Sequence, residues 1–243
     1  VTIFEKQSKS ISSGVGIQLS SNAIRILRLF DLEDNIVSVA NFPSMVDCIN
    51  GHNGNKITSI PLGKIAEKKF NAGFYQLHRN DLISILKNKV EDFGIKINYG
   101  SAVNNLTQNS SNAKIQLLNQ NYNYDFVIGA DGVNSLVRKK IFPNHKPRFL
   151  KQVAFRTLIP SKNIPNIFLQ EKTLLFLGNG KHAVSYPIKA KAFINFVFCI
   201  NTENFYEQDW TRKADTSELI KSFSDFVTFE GVFEQISLLK KWG

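Results

Sequence analysis

The sequence predicts a mixed α/β fold in two lobes, and three observations carry that expectation. Over residues 1–147, short apolar runs of strand character alternate with stretches whose apolar residues recur at helical spacing. After Pro147 the runs Val153–Ile159, Thr173–Leu177, His182–Ile188 and Ala192–Asn201 follow one another with few helices between them, the signature of a mostly antiparallel sheet. The chain has 243 residues, 43% hydrophobic and 21% charged, enough to bury a sizeable core.

Val1-Thr2-Ile3-Phe4 followed by Glu5 reads as a short buried strand ending in a carboxylate. Gly14-Val15-Gly16-Ile17 breaks the chain before Asn22–Leu32, where Ile24, Ile26, Leu27, Leu29 and Phe30 form a helical face, with Ser20, Ser21 and Asn22 as caps. Ser44–Asn50 and Lys56–Pro61 flank the turn-rich Gly51-His52-Asn53-Gly54-Asn55 and predict a β-hairpin, an excursion at about 41–75 from the first lobe. Leu82, Ile85, Leu86, Val90 and Phe93 mark an amphipathic helix that Arg79 opens and Gly94 stops. Four strands are expected next, at Ile95–Tyr99, Ala102–Thr107, Ala113–Asn119 and Tyr122–Ile128, the last running straight into Gly129-Ala130-Asp131-Gly132. A short basic helix, Ser135–Phe142, is halted by Pro143, and helical patterning returns at Thr216–Phe226 and Val232–Lys240. The expected domains are therefore 1–147 and 148–243, the second inserted in the first if later chain returns to it.

The net charge of +10 invites a polyanion-binding reading. The lysines are nevertheless scattered, the tight pairs being Lys68-Lys69, Lys139-Lys140 and Lys240-Lys241, so no nucleic-acid partner is expected. Cys48 and Cys199 are too few for a disulfide framework or a zinc site, and His52, His78 and His145 lack ligand spacing, so no metal is expected and a reducing, cytoplasmic setting is. No apolar run approaches the ~20 residues that span a bilayer, so no integral membrane segment is expected. The chain opens on Val1 rather than Met and stops soon after a helical pattern, which suggests an internal piece of a longer protein.

A nucleotide-binding α/β unit ends its second strand in Asp or Glu, because a carboxylate accepts hydrogen bonds from a ribose diol; Glu5 fits that role. Gly14 and Gly16 do not complete a phosphate-binding GxGxxG, since Leu19 stands at the third position. The specific signal is Tyr124-Asp125-Phe126-Val127-Ile128-Gly129-Ala130-Asp131-Gly132-Val133-Asn134-Ser135-Leu136-Val137-Arg138, read as a buried strand delivering Asp131 and Gly132 at its end, with Asn134 or Ser135 capping the next helix.

This segment resembles the DG motif of the class A FAD-dependent aromatic-ring hydroxylases. Gly14 to Ala23 is similar to that family's Gly-x-Gly-Ile-x-Leu-x-Pro-Asn-Ala stretch, with Ser21 where Pro is usual, and His78-Arg79-Asn80-Asp81-Leu82 to its His-Arg-x-x-Leu helix start. Gly180 to Ile188 is most similar to the salicylate-hydroxylase-like branch, whose Tyr-Pro strand lines the substrate pocket; Trp242-Gly243 resembles a Trp-containing segment of the same branch. The resemblance implies an FAD-binding, Rossmann-like domain of glutathione-reductase type in 1–147 and a mostly antiparallel β-sheet substrate domain in 148–243.

It further implies a flavoprotein monooxygenase that uses NAD(P)H and O2 to hydroxylate a small aromatic, salicylate-like substrate through a C4a-hydroperoxyflavin. Glu5, Lys6, Gly16, Ile17, Arg79, Val103, Asp131, Gly132 and Arg138 would then bind FAD, and Tyr186 and Pro187 would line the substrate. His182 is either the catalytic base toward a phenolic substrate, since an imidazole suits proton transfer near neutral pH, or a partly exposed histidine on a strand. Many phenol hydroxylases of this branch carry His directly before Tyr-Pro, where this chain has Ser185, so a phenolate-activating step does not follow from the motif. Arg156 is either a carboxylate partner or a surface charge, and a homodimer of the full-length protein is a further expectation. Two other readings stand beside this one: a flavoprotein of the same fold with different chemistry, such as a ubiquinone-pathway hydroxylase, epoxidase or isoprenoid reductase, and a basic binding protein without catalysis.

Overall fold

The computed structural model describes residues 1–9, 14–203 and 216–237. In chain order the strands are β1 (Thr2–Phe4), β2 (Gly16–Leu19), β3 (Met45–Asn50), β4 (Lys56–Pro61), β5 (Tyr75–His78), β6 (Lys96–Asn98), β7 (Asn105–Gln108), β8 (Ala113–Gln116), β9 (Asn121–Tyr124), β10 (Gln152–Pro160), β11 (Thr173–Gly178), β12 (Lys181–Ile188) and β13 (Phe193–Asn201). The helices are α1 (Ser21–Arg28), α2 (Glu33–Val39), α3 (Gly63–Phe70), α4 (Arg79–Asp92), α5 (Leu136–Ile141), α6 (Thr216–Phe223) and α7 (Glu230–Ser237). They group into two compact units, one formed by Val1–Ser12 with Lys87–Leu150 and the other by Ser13–Leu86 with Lys151–Gly243. Trp242-Gly243 lies outside the described residues.

In the first unit β1 runs parallel to β6, and β7, β8 and β9 form an antiparallel meander. Leu106, Ala113 and Ile115 are its buried centre, with Phe4, Val103, Tyr124, Val127 and Val137 packed around them. The strand expected at Tyr122–Ile128 stops at Tyr124, leaving Phe126 88% and Ile128 91% exposed. A strand persists only where a neighbour takes up its N–H and C=O groups, and among the described residues no strand is hydrogen-bonded beside 125–130. Asp131 and Gly132 are therefore delivered by a loop rather than by a buried strand.

The second unit is built on a six-stranded sheet of order β10-β13-β12-β11-β3-β4. Its pairings are antiparallel except β3 with β11, which is parallel. The hairpin expected within 41–75 thus extends the sheet of the strand-rich segment, and 13–86 groups with 151–243 rather than sharing one compact unit with 1–12 and 87–150. That parallel pairing joins segments far apart in sequence, which no local pattern reveals. The same holds for β2 and β5, which form a two-stranded antiparallel sheet, with Asn41 bridged to Gln76 of β5; the glycines before Ile17 read as a break although Gly16 starts a strand. The short α2 and α3 bury only Ile36 and Ala66, too few apolar anchors to show helical periodicity.

Side chains alternate between the two faces of a strand. On one face Phe155, Ile159, Ile194, Phe196, Phe198, Leu174, Phe176 and Ala183 meet Leu219, Phe223, Phe226, Phe229, Val232 and Ile236 of the α6–α7 segment. Phe229, fully buried, lies 4.8 Å from the Phe176 ring, 5.5 Å from Phe198 and 5.7 Å from Phe168, centroid to centroid. Such tilted and edge-on pairs add to burial because ring edges are positive and ring faces negative. The β12–β13 turn holds three consecutive residues in left-handed backbone, Lys189 (φ 52°), Ala190 (φ 51°) and Lys191 (φ 67°), each a strained position for a residue with a Cβ.

Phe229→Ala should cost ~3–5 kcal/mol in urea unfolding, the loss of a large ring from a core that cannot collapse around the void. Ala190→Gly should act in the opposite direction, raising stability by about 1 kcal/mol in the same assay through relief of left-handed strain.

Candidate functional site

The first unit carries two of the sequence-predicted elements. Glu5 directly follows β1, and its N–H is bonded to Asn98 O at 2.9 Å, so the pairing with β6 carries on to this residue. Its carboxylate Oε1 accepts from Gln7 N at 2.8 Å, Lys6 is exposed, and Val103 packs on the apolar centre of the unit. In the second element the Asp131 carboxylate accepts from Ser135 Oγ at 2.5 Å, from Leu136 N at 2.6 Å and from Val137 N at 3.2 Å. Ser135 Oγ in turn accepts from Arg138 N at 2.9 Å, so Ser135 rather than Asn134 caps α5, with Asp131 as a second cap. Burial works against ionisation of Asp131, but the bonds from Ser135, Val137 and Leu136 outweigh it and hold the carboxyl below the ordinary aspartate range.

Within the second unit the residues converge around Gly14-Val15-Gly16. Gly16 N donates to Asn195 Oδ1 at 2.7 Å, and Arg79 N, at the start of α4, donates to Val15 O at 2.9 Å. The buried His78 accepts from Asn80 N at its Nδ1 (3.2 Å) and hydrogen-bonds the Gly14 backbone. Burial, with Lys189 nearby, holds its imidazole below the usual range, against the pull of Asp81 and the Gly14 bond. A Cβ on Gly16 would sit 2.7 Å from Asn195 Cγ and 2.8 Å from Tyr186 Cε2, so only glycine fits against these side chains. Ile17 follows in β2 and packs on the small core beneath it.

Tyr186 and Asn195 are cross-strand partners on the sheet face opposite the phenylalanine core. Strand parity puts Arg156, Leu158, Val184, Val197, Leu175 and Val46 on that same face, all partly buried. Burial pushes the Tyr186 phenol strongly up, with Arg156 opposing, and does the same to the Cys199 thiol. The Tyr-Pro pair splits across the sheet: Tyr186 lies, buried, on the face opposite the phenylalanine core, whereas parity sends Pro187 and Ser185 to the other. Pro187, expected beside the substrate, therefore points away from Tyr186, and Ser185 Oγ is buried with no hydrogen-bond partner among the described residues. His182 shares the Tyr186 face but stands four residues along β12, roughly 13 Å at strand rise, beyond the span of one aromatic ring. Asn195 was missed in the sequence, although a lone amide inside the apolar run Phe193–Ile200 is the kind of residue that marks a buried polar contact.

A protein-family model described as "FAD binding domain" matches residues 1–243. The chain belongs to the FAD-binding domain family. It is 27% identical over 195 residues to a 3-amino-4-hydroxybenzoate 2-monooxygenase of Streptomyces cremeus, covering 80% of this chain and 49% of that protein. It is 22% identical over 246 residues to a 6-hydroxynicotinate 3-monooxygenase of Pseudomonas fluorescens, covering 100% of this chain and 63% of that one. The chain thus spans about half to three-fifths of the length of these relatives. Among solved structures, CtdE in complex with FAD and a substrate superimposes with a TM-score of 0.84 at 16% identity, over 98% of this chain and 61% of that one, a likeness of fold.

The residues present suit the family's dinucleotide. Glu5 offers a carboxylate at a strand end, the place where a ribose diol is bound in α/β units. Gly132, at φ 75°, has no atom within 4 Å of where a Cβ would project, so its backbone is open to close approach. Arg138 Nε is buried without a hydrogen-bond partner, a donor directed at no acceptor among the described residues.

Because the Asp131 carboxyl is lowered in the folded chain, its contribution is complete above the unfolded value near 3.9 and is lost as pH falls through the folded value. Protection of the Leu136 and Val137 amides, measured as hydrogen exchange relative to the intrinsic rate at each pH, should fall on acidification through that range, and Asp131→Asn should remove that fall.

Proposed function

We propose that the full-length protein is a monooxygenase that uses FAD, NAD(P)H and O2 to hydroxylate a small aromatic acid of salicylate-like size. The observation that carries this reading is the sheet face opposite the phenylalanine core, where Arg156, Leu158, Leu175, Val184 and Val197 stand partly buried beside the buried Tyr186. An apolar floor with one guanidinium matches a flat ring bearing a carboxylate, since the ring gains by leaving water and the carboxylate needs a charge-assisted partner. The names of the relatives, monooxygenases of an aminohydroxybenzoate and a hydroxynicotinate, support the same substrate class.

Glu5 would hold the ribose diol, with Lys6 and Val103 beside it and Asp131, Gly132 and Arg138 along the dinucleotide. Gly16, Ile17 and Arg79 would bound the ring end of the cofactor. When bound, FAD supplies the redox chemistry, taking electrons from NAD(P)H and delivering an oxygen atom from O2 to the aromatic ring. Tyr186, its phenol held protonated by burial, acts as a neutral hydrogen-bonding group at the substrate rather than as a base. Deprotonation of the substrate by His182 would need the ring to bind toward the Cys199 end of the face, where His182 and Cys199 are cross-strand partners. On this reading the unit of 1–12 and 87–150 carries the ribose carboxylate and the Asp131–Arg138 segment, and the unit of 13–86 and 151–243 carries the substrate face.

The purified full-length protein should be yellow and should oxidise NAD(P)H faster when an aromatic acid is present; a protein that never retains flavin ends the reading. Glu5→Gln, which weakens the acceptor for the diol without changing its shape, should raise the flavin Kd about tenfold, a loss of ~1.4 kcal/mol, as measured by flavin fluorescence titration.

A further inference from the structure

We propose that Asn195 is a positioning residue that sets the distance between the Gly14–Gly16 loop and Tyr186, and thereby seats the flavin ring against the substrate face. The proposal rests on the cofactor reading above for what the loop faces; the clamp itself is geometry. Asn195 is fully buried in β13, between Ile194 and Phe196, which turn to the opposite side. A carboxamide in that position is costly unless it is hydrogen-bonded, and its Oδ1 takes the Gly16 N–H at 2.7 Å across 179 residues of sequence.

Three successive residues of the loop are each tied to a different element. Gly14 is bound by the His78 ring at the end of β5, Val15 O by the first N–H of α4, and Gly16 N by β13 through Asn195. The β13 tie is the one that reaches the six-stranded sheet. A Cβ at Gly16 would fall 2.7 Å from Asn195 Cγ and 2.8 Å from Tyr186 Cε2, so loop backbone, amide and phenol ring are already in contact with no slack. One amide therefore registers the loop, assigned to the cofactor, against Tyr186, assigned to the substrate. The bond to Gly16 also fixes which way the amide points, leaving Nδ2 buried and without a partner among the described residues, so it is the oxygen that matters.

The test compares Asn195→Leu, which removes the acceptor at similar size, with Asn195→Asp, which keeps an oxygen in the same place. Three quantities are read in the full-length protein: hydrogen exchange of the Gly16 amide without flavin, the flavin Kd, and the fraction of NAD(P)H electrons recovered in hydroxylated product rather than in hydrogen peroxide. Asn195→Leu should speed Gly16 exchange at least tenfold, weaken flavin binding about tenfold and divert electrons to peroxide, and Asn195→Asp should restore most of each. Unchanged Gly16 exchange in Asn195→Leu overturns the clamp, as does an Asn195→Asp protein that fares no better than the Leu variant. Faster exchange with unaltered flavin affinity and coupling overturns the positioning role. Should the Leu variant not fold, Asn195→Ser, whose hydroxyl is too short to reach Gly16, carries the same comparison. A wild-type protein that binds no flavin sinks the cofactor reading, while Gly16 exchange still decides the clamp.

Discussion

Burial of a phenylalanine cluster on one face of the six-stranded sheet is the constraint on which the second unit depends. Phe155, Phe176, Phe196 and Phe198 from the strands meet Phe223, Phe226 and Phe229 from the α6–α7 segment, and water is excluded from that side. With a side-chain period of two, committing these residues to the core forces their neighbours to the other face. Arg156, Tyr186, Asn195, Val197 and Cys199 share that face for this reason. A one-residue slip of β12 would exchange Tyr186 for Ser185, so the register holding the core together also selects the groups available for binding.

The open face is not uniformly open. Near Tyr186 and Asn195 it is met by β2 and β5, whose backbone and side chains supply buried polar partners: Gly16 N to Asn195, and Gln76 Nε2 to Thr173 Oγ1 at 2.6 Å. Buried amides tolerate little displacement, because each lost partner leaves a desolvated group behind. They therefore join β2 and β5 to the sheet with more directional control than the apolar contacts around them. Further along, Leu175, Val184 and Val197 remain partly exposed and give an apolar surface without such ties.

In the first unit a carboxylate does comparable work by local means. Asp131 and Ser135 between them take the hydroxyl and backbone donors at the start of α5, a helix of six residues too short to stand without caps. Gly129 packs so closely on this turn that a Cβ would lie 2.6 Å from Val137 Cβ. The motif that identifies the family is thus also the motif that holds its own loop and helix together, with Gly132 left open beside it.

Much of this was legible in the sequence wherever a feature is local. The β3–β4 hairpin follows from its turn residues, α4 from its apolar spacing and the stop at Gly94, whose φ is 66°, the α5 cap from Ser135, and β10 to β13 from their apolar runs. The order of motifs around Glu5, Gly16, Arg79 and Asp131–Arg138 was enough to indicate the family. Tertiary structure alone decided what depends on partners distant in the chain: the end of β9 at Tyr124, the pairing of β2 with β5, and the parallel join of β3 to β11. It also decided which face of β12 packs on the phenylalanine core, leaving Tyr186 on the other, and that Asn195 meets Gly16. A sequence specifies which residues can turn, pair or be buried, but a hydrogen bond across 179 residues exists only once the sheet has set its register.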